Sequence, residues 1–287
     1  MFPLGLALLS GLTWGSADFV GGLMARRLPT AAVMVISQGA GLVFTAGLVI
    51  AIGEPPPESR FLVYGALGGL VGAIGLASLY KGLAVGRMSI VAPTAALSGV
   101  VPVVVGFLQG ERPAAVHVVG MAVAGAGVLL AVRAPEPIVE GSVAPVAGRG
   151  SARGIGYALL AAFFLGLFVT SLDAAGEGDP YWTSLMVRVV SVPLFLLAAV
   201  ATARGSRLPS RTEVGILAGV GVLDNGANVM FALAAREGLL TLVSVLGSMY
   251  PVATVLLARW FLGERLATWQ VVGVVVAFLG VALIAVG

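Results

Sequence analysis

The chain has 287 residues, of which 59% are hydrophobic and only 10% are charged, and its formal net charge is +3. Soluble domains usually carry about 25% charged residues, so composition excludes an ordinary soluble protein. The mean hydropathy of +1.07 and recurring apolar runs of about 20 residues predict a multispanning membrane protein. The small positive charge therefore gives no reason to expect nucleic-acid binding, and the absence of cysteine excludes disulfides and Cys-ligated metal sites.

Apolar runs separated by short polar turns predict an all-α membrane protein with ten transmembrane helices. Their limits in chain order are 4–25, 31–52, 61–80, 89–108, 114–132, 154–172, 181–203, 214–233, 240–262 and 268–286.

The two halves of the chain repeat each other. Gly110-Glu111-Arg112 and the valine and glycine pattern that follows it recur 153 residues later, beginning at Gly263-Glu264-Arg265. The longest polar segment, 134–152, is rich in proline and glycine and is predicted to be a cytoplasmic linker between a five-helix repeat at 1–133 and another at 153–287. Because five is odd, the second repeat is expected to be inverted relative to the first, an architecture of transporters.

Basic residues fall mainly in alternate loops. One set of loops holds twelve Lys and Arg residues and the other holds three. The positive-inside rule then places the linker in the cytoplasm and both termini outside it. We expect a multi-pass protein of a bacterial-type inner membrane.

Three motifs resemble a known family. These are Leu12-Thr-Trp14-Gly15-Ser-Ala-Asp18-Phe19, the two Gly-Glu-Arg turns, and Gly86-Arg-Met-Ser-Ile-Val-Ala-Pro93. Together they are similar to the EamA-type transporters of the drug/metabolite transporter superfamily. The resemblance implies transport of amino acids, other metabolites or drugs, mostly outward. Many relatives are drawn with cytoplasmic termini, whereas the charge pattern here predicts the reverse.

Asp18 lies eight residues before Arg26, on the order of 12 Å inside the membrane boundary at 1.5 Å per residue. Because a charge there costs at least ~2.5 kcal/mol, an intramembrane acid indicates a functional site. Asp18 could bind a cation together with Trp14, one turn away on the same face, or it could couple transport to protons. The alternative is a structural ion pair or a backbone cap.

Asp224, Asn225 and Asn228 form a polar patch on one turn of the eighth span. We expect them to line a cavity for a small solute between the two halves. The structural alternative is a hydrogen-bonded contact with the third span, whose glycine stripe permits close approach. Glycine stripes on the third, fifth and tenth spans could pack within a monomer or between the subunits of a homodimer.

Arg188 and Gln38 lie deep in the seventh and second spans. Arg188 could neutralise Asp224 or Asp18, contact an anionic substrate, or extend to the membrane surface. Gln38 is a further candidate for the cavity. Tyr80, at the end of the third span, is predicted to be an interfacial anchor.

Pro93 and Pro102 in the fourth span and Pro251 in the ninth interrupt helices. They could bend during gating or form static kinks.

An enzyme is the main competing class. The only histidine, His117, has no neighbouring acid or cysteine in the sequence, so neither a catalytic triad nor a metal site is expected, and no cofactor is predicted.

Taken together, the spans, the repeat and the family resemblance predict a secondary transporter that moves a small organic metabolite by alternating access, with protons as candidate coupling ions. A lipid flippase or a non-transporting membrane scaffold is the alternative.

Overall fold

A computed structural model describes residues 2–25, 27–85, 94–131, 149–202, 207–247, 249–262 and 268–286. All regular structure in these ranges is helical, which confirms the all-α prediction. A 3-10 turn at Ala96–Gly99 precedes α4. The helices are α1 Phe2–Ala25, α2 Thr30–Ile52, α3 Ser59–Val85, α4 Val100–Leu108, α5 Ala115–Ala131, α6 Arg149–Gly176, α7 Pro180–Thr202, α8 Arg211–Glu237, α9 Leu240–Gly247, α10 Tyr250–Leu262 and α11 Thr268–Val286.

Five segments are long and apolar enough to cross a membrane, and three shorter helices are also apolar. The five are Thr30–Ile52, Ser59–Gly82, Arg153–Gly176, Pro180–Ala201 and Arg211–Glu237. Two helix boundaries differ from the predicted ones. The ninth predicted span consists of two helices, because α9 ends at Gly247 and α10 begins at Tyr250, beside the Pro251 that was predicted to interrupt this span. In addition, α6 begins at Arg149, inside the predicted linker.

The two halves contact each other through equivalent helices, so that each contact occurs twice with the halves exchanged. Helix α3 packs against α6 and α7 of the second half, and α8 packs against α1 and α2 of the first half. Helix α3 occupies the same place in the first half as α8 does in the second, so each contact has a counterpart with the halves swapped. The two halves therefore bury their apolar helices against each other along the whole bundle.

Where α5 and α11 cross, the same equivalence between the halves holds for single residues. A Cβ atom on Gly127 would lie 2.2 Å from the backbone N of Ala277, and one on Gly280 would lie 2.3 Å from the backbone N of Ala124. Gly127 and Gly280 are equivalent in the sequence repeat, as are Ala124 and Ala277. Only glycine permits the two backbones to approach so closely at these positions.

The glycine stripe of α3 also packs inside the chain. A Cβ on Gly69 would lie 2.5 Å from the carbonyl O of Val187 on α7, and one on Gly72 would lie 2.8 Å from the Phe168 ring on α6. The stripes of α3, α5 and α11 thus serve contacts within the monomer.

Glu111 joins the halves at one end of the bundle, which we call the Glu111 end. Arg27, between α1 and α2, lies at the opposite end. The Glu111 carboxylate accepts hydrogen bonds from the backbone N–H groups of Leu240 at 2.6 Å and Thr241 at 2.9 Å. These are orphan donors at the start of α9, where a negative charge is also favoured by the helix dipole. All eight residues of α9 are buried, so the bundle is tightly packed at the Glu111 end.

Candidate functional site

Helices α2 and α8 touch at the level of the predicted polar patch. A Cβ on Gly221 would lie 1.9 Å from the carbonyl O of Ser37, and one on Gly41 would lie 1.8 Å from Nδ2 of Asn225. The two glycines let the backbones approach and leave room for the Asn225 side chain between them. The patch therefore faces α2. The alternative of a hydrogen-bonded contact with the third span is not found in the described chain, where the patch bonds to Trp14 on α1, Gln38 on α2 and Arg188 on α7.

A buried hydrogen-bond network joins α2, α7 and α8. Arg188, which is 4% exposed, forms a salt bridge from Nη2 to Oδ2 of Asp224 at 2.9 Å. It also donates to Oε1 of Gln38 and Oδ1 of Asn225, and Nε2 of Gln38 donates to Oδ2 of Asp224 at 3.4 Å. Of the roles open to Arg188, the structure shows pairing with Asp224, and its buried side chain does not extend to the membrane surface.

Trp14 is fixed to the same turn of α8. Its indole Nε1 donates a 2.9 Å hydrogen bond to Oδ1 of Asn228. The indole also packs against the ring of Phe231, with centroids 5.5 Å apart. Trp14 and Phe231 thereby form an aromatic wall held in place by a completely buried amide.

The aromatic wall borders a cavity between the two halves. Its lining combines apolar residues from both halves with a few polar groups. Among the residues that the sequence singled out, Trp14, Asp18, Pro102, Arg188 and Asp224 line this cavity.

The other three polar candidates lie behind the cavity wall. Gln38, Asn225 and Asn228 are outside its lining and are 2%, 0% and 0% exposed. Each is hydrogen-bonded to a residue that does line it. The structure thus divides the predicted patch into residues that face the cavity and residues that hold those in position.

Asp18 differs from Asp224 in having no compensating charge. Within the described parts of the chain, no hydrogen bond or ion pair reaches its carboxylate, and the Asp224 carboxylate repels it. Arg188 is already paired to Asp224. The cavity wall therefore carries one uncompensated negative group when Asp18 is ionised.

Tyr80 corrects the sequence analysis. Instead of anchoring α3 at the membrane surface, its side chain is 7% exposed, and its hydroxyl lies 2.5 Å from the position of a Cβ on Gly21. It packs with Met34, Ala73 and Phe195. A tyrosine at the end of an apolar run is compatible with a place at the membrane surface and with a buried place, so the sequence alone could not distinguish them.

The prolines lie close to helix starts. Pro102 is the third residue of α4, directly after the 3-10 turn, and Pro251 is the second residue of α10. Proline is tolerated at position 251 because the first turn of a helix has no acceptor for its N–H in any case. Pro93 lies outside the described residues. The sequence analysis missed Pro193, which lies inside α7.

In the part of the chain that the structure describes, no group of three or more His, Cys, Asp or Glu residues could hold a metal ion. The polar groups of the cavity are instead one ion pair, one free carboxylate and several hydroxyls. Groups of this kind are able to form ion pairs and hydrogen bonds with a small solute.

Comparisons with known proteins agree with this architecture. One protein of known crystal structure superimposes with a TM-score of 0.79, covering 99% of this chain and 96% of that chain at 17% sequence identity, which shows a shared fold. No curated protein matches the chain. The model of the EamA-like transporter family matches residues 1–133 and again residues 152–286. By these two matches, which together span nearly the whole chain, the protein is a multi-pass membrane protein that belongs to the EamA-like transporter family.

Proposed function

We propose that this transporter moves a small organic metabolite bearing a positive charge, such as an amine or an amine-containing drug-like solute. The observation that carries the proposal is the uncompensated Asp18 carboxylate in the cavity wall beside Trp14. In a low-dielectric cavity an unpaired carboxylate attracts a cation strongly. The face of a tryptophan adds about 0.5 to 2 kcal/mol of cation-π attraction.

The charges of the network support a monocation. Arg188 and Asp224 compensate each other at 2.9 Å, so they add no net charge to the wall. An anion would meet the Asp18 and Asp224 carboxylates, and the described lining of the cavity contains no basic residue besides the paired Arg188. A dication would leave one charge unpaired. Burying an unpaired charge costs several kcal/mol, which disfavours both.

Alternating access by two inverted five-helix repeats is the transport mechanism that we propose. The exchanged contacts of α3 and α8 and of Gly127 and Gly280 support a two-fold relation between the halves. The cavity lies between these halves, where transporters of inverted repeats bind their substrates. The break between α9 and α10 and the 3-10 turn before α4 supply wall elements that can move.

Asp18 also provides a means of coupling to protons. When the cation leaves, an ionised Asp18 would remain unpaired in the cavity wall, and a proton can take the place of the cation. A proton gradient would then drive the solute outward across the inner membrane.

The asymmetry of the basic loops supports cytoplasmic placement of segment 134–152 and extracytoplasmic termini.

A thermal-shift screen with the purified protein tests the substrate class. Amines and quaternary ammonium compounds, amino acids, sugars and organic acids are compared at two pH values, because a ligand of the folded state raises its apparent stability. We expect stabilisation by amines, and loss of it in Asp18→Asn. Asp173→Asn is the matched control, since Asp173 is a partly buried aspartate that lies outside the cavity lining.

Transport in proteoliposomes completes the test. Asp18→Asn is expected to insert normally and to lose pH-driven transport of any amine that binds. Full pH-driven transport in this variant would contradict the coupling role of Asp18. Stabilisation by none of the four classes would contradict the proposed substrate and favour a lipid-like one.

Orientation is tested separately in intact cells. A cysteine introduced by Ser142→Cys would lie on the cytoplasmic side, so we expect it to react with a membrane-impermeant thiol reagent only after the cells are opened. The natural chain has no cysteine, so all labelling of the protein would come from this position. Labelling from outside would reverse the proposed topology.

A further inference from the structure

Two serine hydroxyls in the cavity wall have no protein partner. Ser191 on α7 and Ser244 on α9 line the cavity and are each 2% exposed. Neither Oγ atom makes a hydrogen bond to any residue that the structure describes. A buried hydroxyl without a partner costs about 1 to 3 kcal/mol.

Serines on other helices of the bundle form a hydrogen bond within their own helix. Ser37, Ser78 and Ser171 each donate to the carbonyl four residues earlier, at 2.7 to 2.8 Å. This bond is the usual one for serine in an apolar helix. In the described parts of α7 and α9, four hydroxyls are exceptions, those of Ser184, Ser191, Thr241 and Ser244. Of these four, only Ser191 and Ser244 line the cavity.

The two hydroxyls lie near the other functional groups of the wall. Ser191 is one turn after Arg188 on α7. Ser244 is one turn before Gly247, where an added Cβ would be 3.0 Å from Phe231 and 3.7 Å from Trp14. Donors and acceptors are thus available to a solute whose apolar body packs against the aromatic wall.

We propose that Ser191 and Ser244 form a hydroxyl subsite that binds an uncharged oxygen group, a hydroxyl or a carbonyl, on the same small cation whose charge Asp18 binds. This inference rests on the proposed function and narrows its substrate class to oxygen-bearing monocations.

The group at the hydroxyl subsite is uncharged because the described lining of the cavity contains no basic side chain besides Arg188. A carboxylate there would lie in a cavity that already holds Asp18 and Asp224, and Arg188 is paired to Asp224. Two neutral hydroxyls do not replace the water that an ion loses on burial. They do match a neutral hydroxyl or carbonyl, which costs less to desolvate.

The test uses three probes that differ by single groups: phenethylamine, tyramine, which adds a hydroxyl, and tyrosine, which adds a carboxylate to tyramine. Binding to the purified protein is measured by calorimetry. We expect tyramine to bind about threefold to tenfold more tightly than phenethylamine, the gain from one buried hydrogen bond, and tyrosine to bind more weakly than tyramine. Ser191→Ala and Ser244→Ala should each reduce tyramine affinity and leave phenethylamine affinity unchanged.

Ser184→Ala is the matched control. Ser184 is also on α7, is completely buried and has an Oγ without a partner in the described chain, but it lies outside the cavity lining. It should leave the ratio of tyramine to phenethylamine affinity unchanged. An equal loss in Ser184→Ala, or equal affinity of the wild type for both amines, would overturn the hydroxyl subsite.

The outcomes separate this inference from the proposed function. If both amines bind equally and Asp18→Asn removes both, the cation site stands and the hydroxyl subsite fails. If neither amine binds, or if binding persists in Asp18→Asn, the proposed function fails and the hydroxyl subsite fails with it.

Discussion

Trp14 Nε1 lies 2.9 Å from Oδ1 of Asn228, and this bond couples the aromatic wall of the cavity to the buried face of α8. Asn228→Ala leaves the indole N–H without its partner and frees the ring to rotate. We expect the free energy of unfolding to fall by about 1 kcal/mol and amine affinity to fall about threefold to tenfold. Differential scanning fluorimetry and calorimetry measure the two effects.

A double-mutant cycle separates positioning from general damage. In a Trp14→Phe background, Asn228→Ala should produce no further loss of affinity, because the group that Asn228 positions is already absent. Additive losses of affinity would show that Asn228 acts independently of Trp14.

Asp224 and Arg188 give a second prediction. Asp224→Asn leaves the guanidinium of Arg188 buried with only amide partners, so we expect a loss of stability of about 3 to 5 kcal/mol, as for other buried pairs that lose one member. Arg188→Met combined with Asp224→Leu removes both charges and should recover much of that loss. Thermal midpoints in detergent test both. A midpoint for Asp224→Asn equal to that of the wild type would show that the ion pair contributes nothing to the fold.

How far the sequence predicts this site depends on whether the signal is local. An acid in an apolar run is costly wherever the run packs, so Asp18 and Asp224 were identifiable from the sequence alone. Their environments were not, because Arg188 is 36 residues from Asp224 in the sequence and could equally have served Asp18. The partner of Asn228 is 214 residues away, and only the packing of α1 on α8 brings the two together.

The fold shows the same limit. Apolar run length and the repeat predicted the helices and their order. Pro251 predicted an interruption of the ninth span, but a proline in an apolar run is compatible with a kinked helix or with two helices, so the sequence did not show that α9 and α10 are separate. Ser191 and Ser244 carry no local signal, since serines of the same kind, such as Ser37, bond to their own helix. The subsite proposed for them can be recognised only when the cavity is located.

Close contact of α2 and α8 supplies a third prediction. A Cβ on Gly221 would lie 1.9 Å from the backbone O of Ser37, so Gly221→Ala must separate the helices and disturb the Arg188 network. We expect Gly221→Ala to fold poorly and to lose amine binding. Gly219→Ala is the matched control on the same helix, because its Cβ would meet no atom within 4 Å; it should match the wild type or gain up to about 1 kcal/mol. Size-exclusion profiles and thermal midpoints compare the two, and equal behaviour would contradict the tight crossing.

Glu111 gives the last prediction, which concerns opening of the bundle. Its carboxylate accepts the backbone N–H groups of Leu240 and Thr241, and α9 beyond them carries Ser244 and Gly247 into the cavity wall. Opening the cavity at the Glu111 end must part α4 from α9 and break these charge-assisted bonds, which are worth about 1.5 to 3 kcal/mol. In Glu111→Gln the side chain is neutral and has one oxygen that can accept a hydrogen bond, whereas both carboxylate oxygens of Glu111 accept one. Both hydrogen bonds are therefore weakened. We expect amide hydrogen exchange in α9 to accelerate about tenfold or more, as measured by mass spectrometry of peptides covering 240–247. Glu58→Gln, at an exposed acid that pairs only with Arg60 in the described chain, should leave the exchange unchanged. If Glu111→Gln also left it unchanged, the carboxylate would be a passive cap, and opening at this end would have to be limited by the packing of the buried α9 side chains alone.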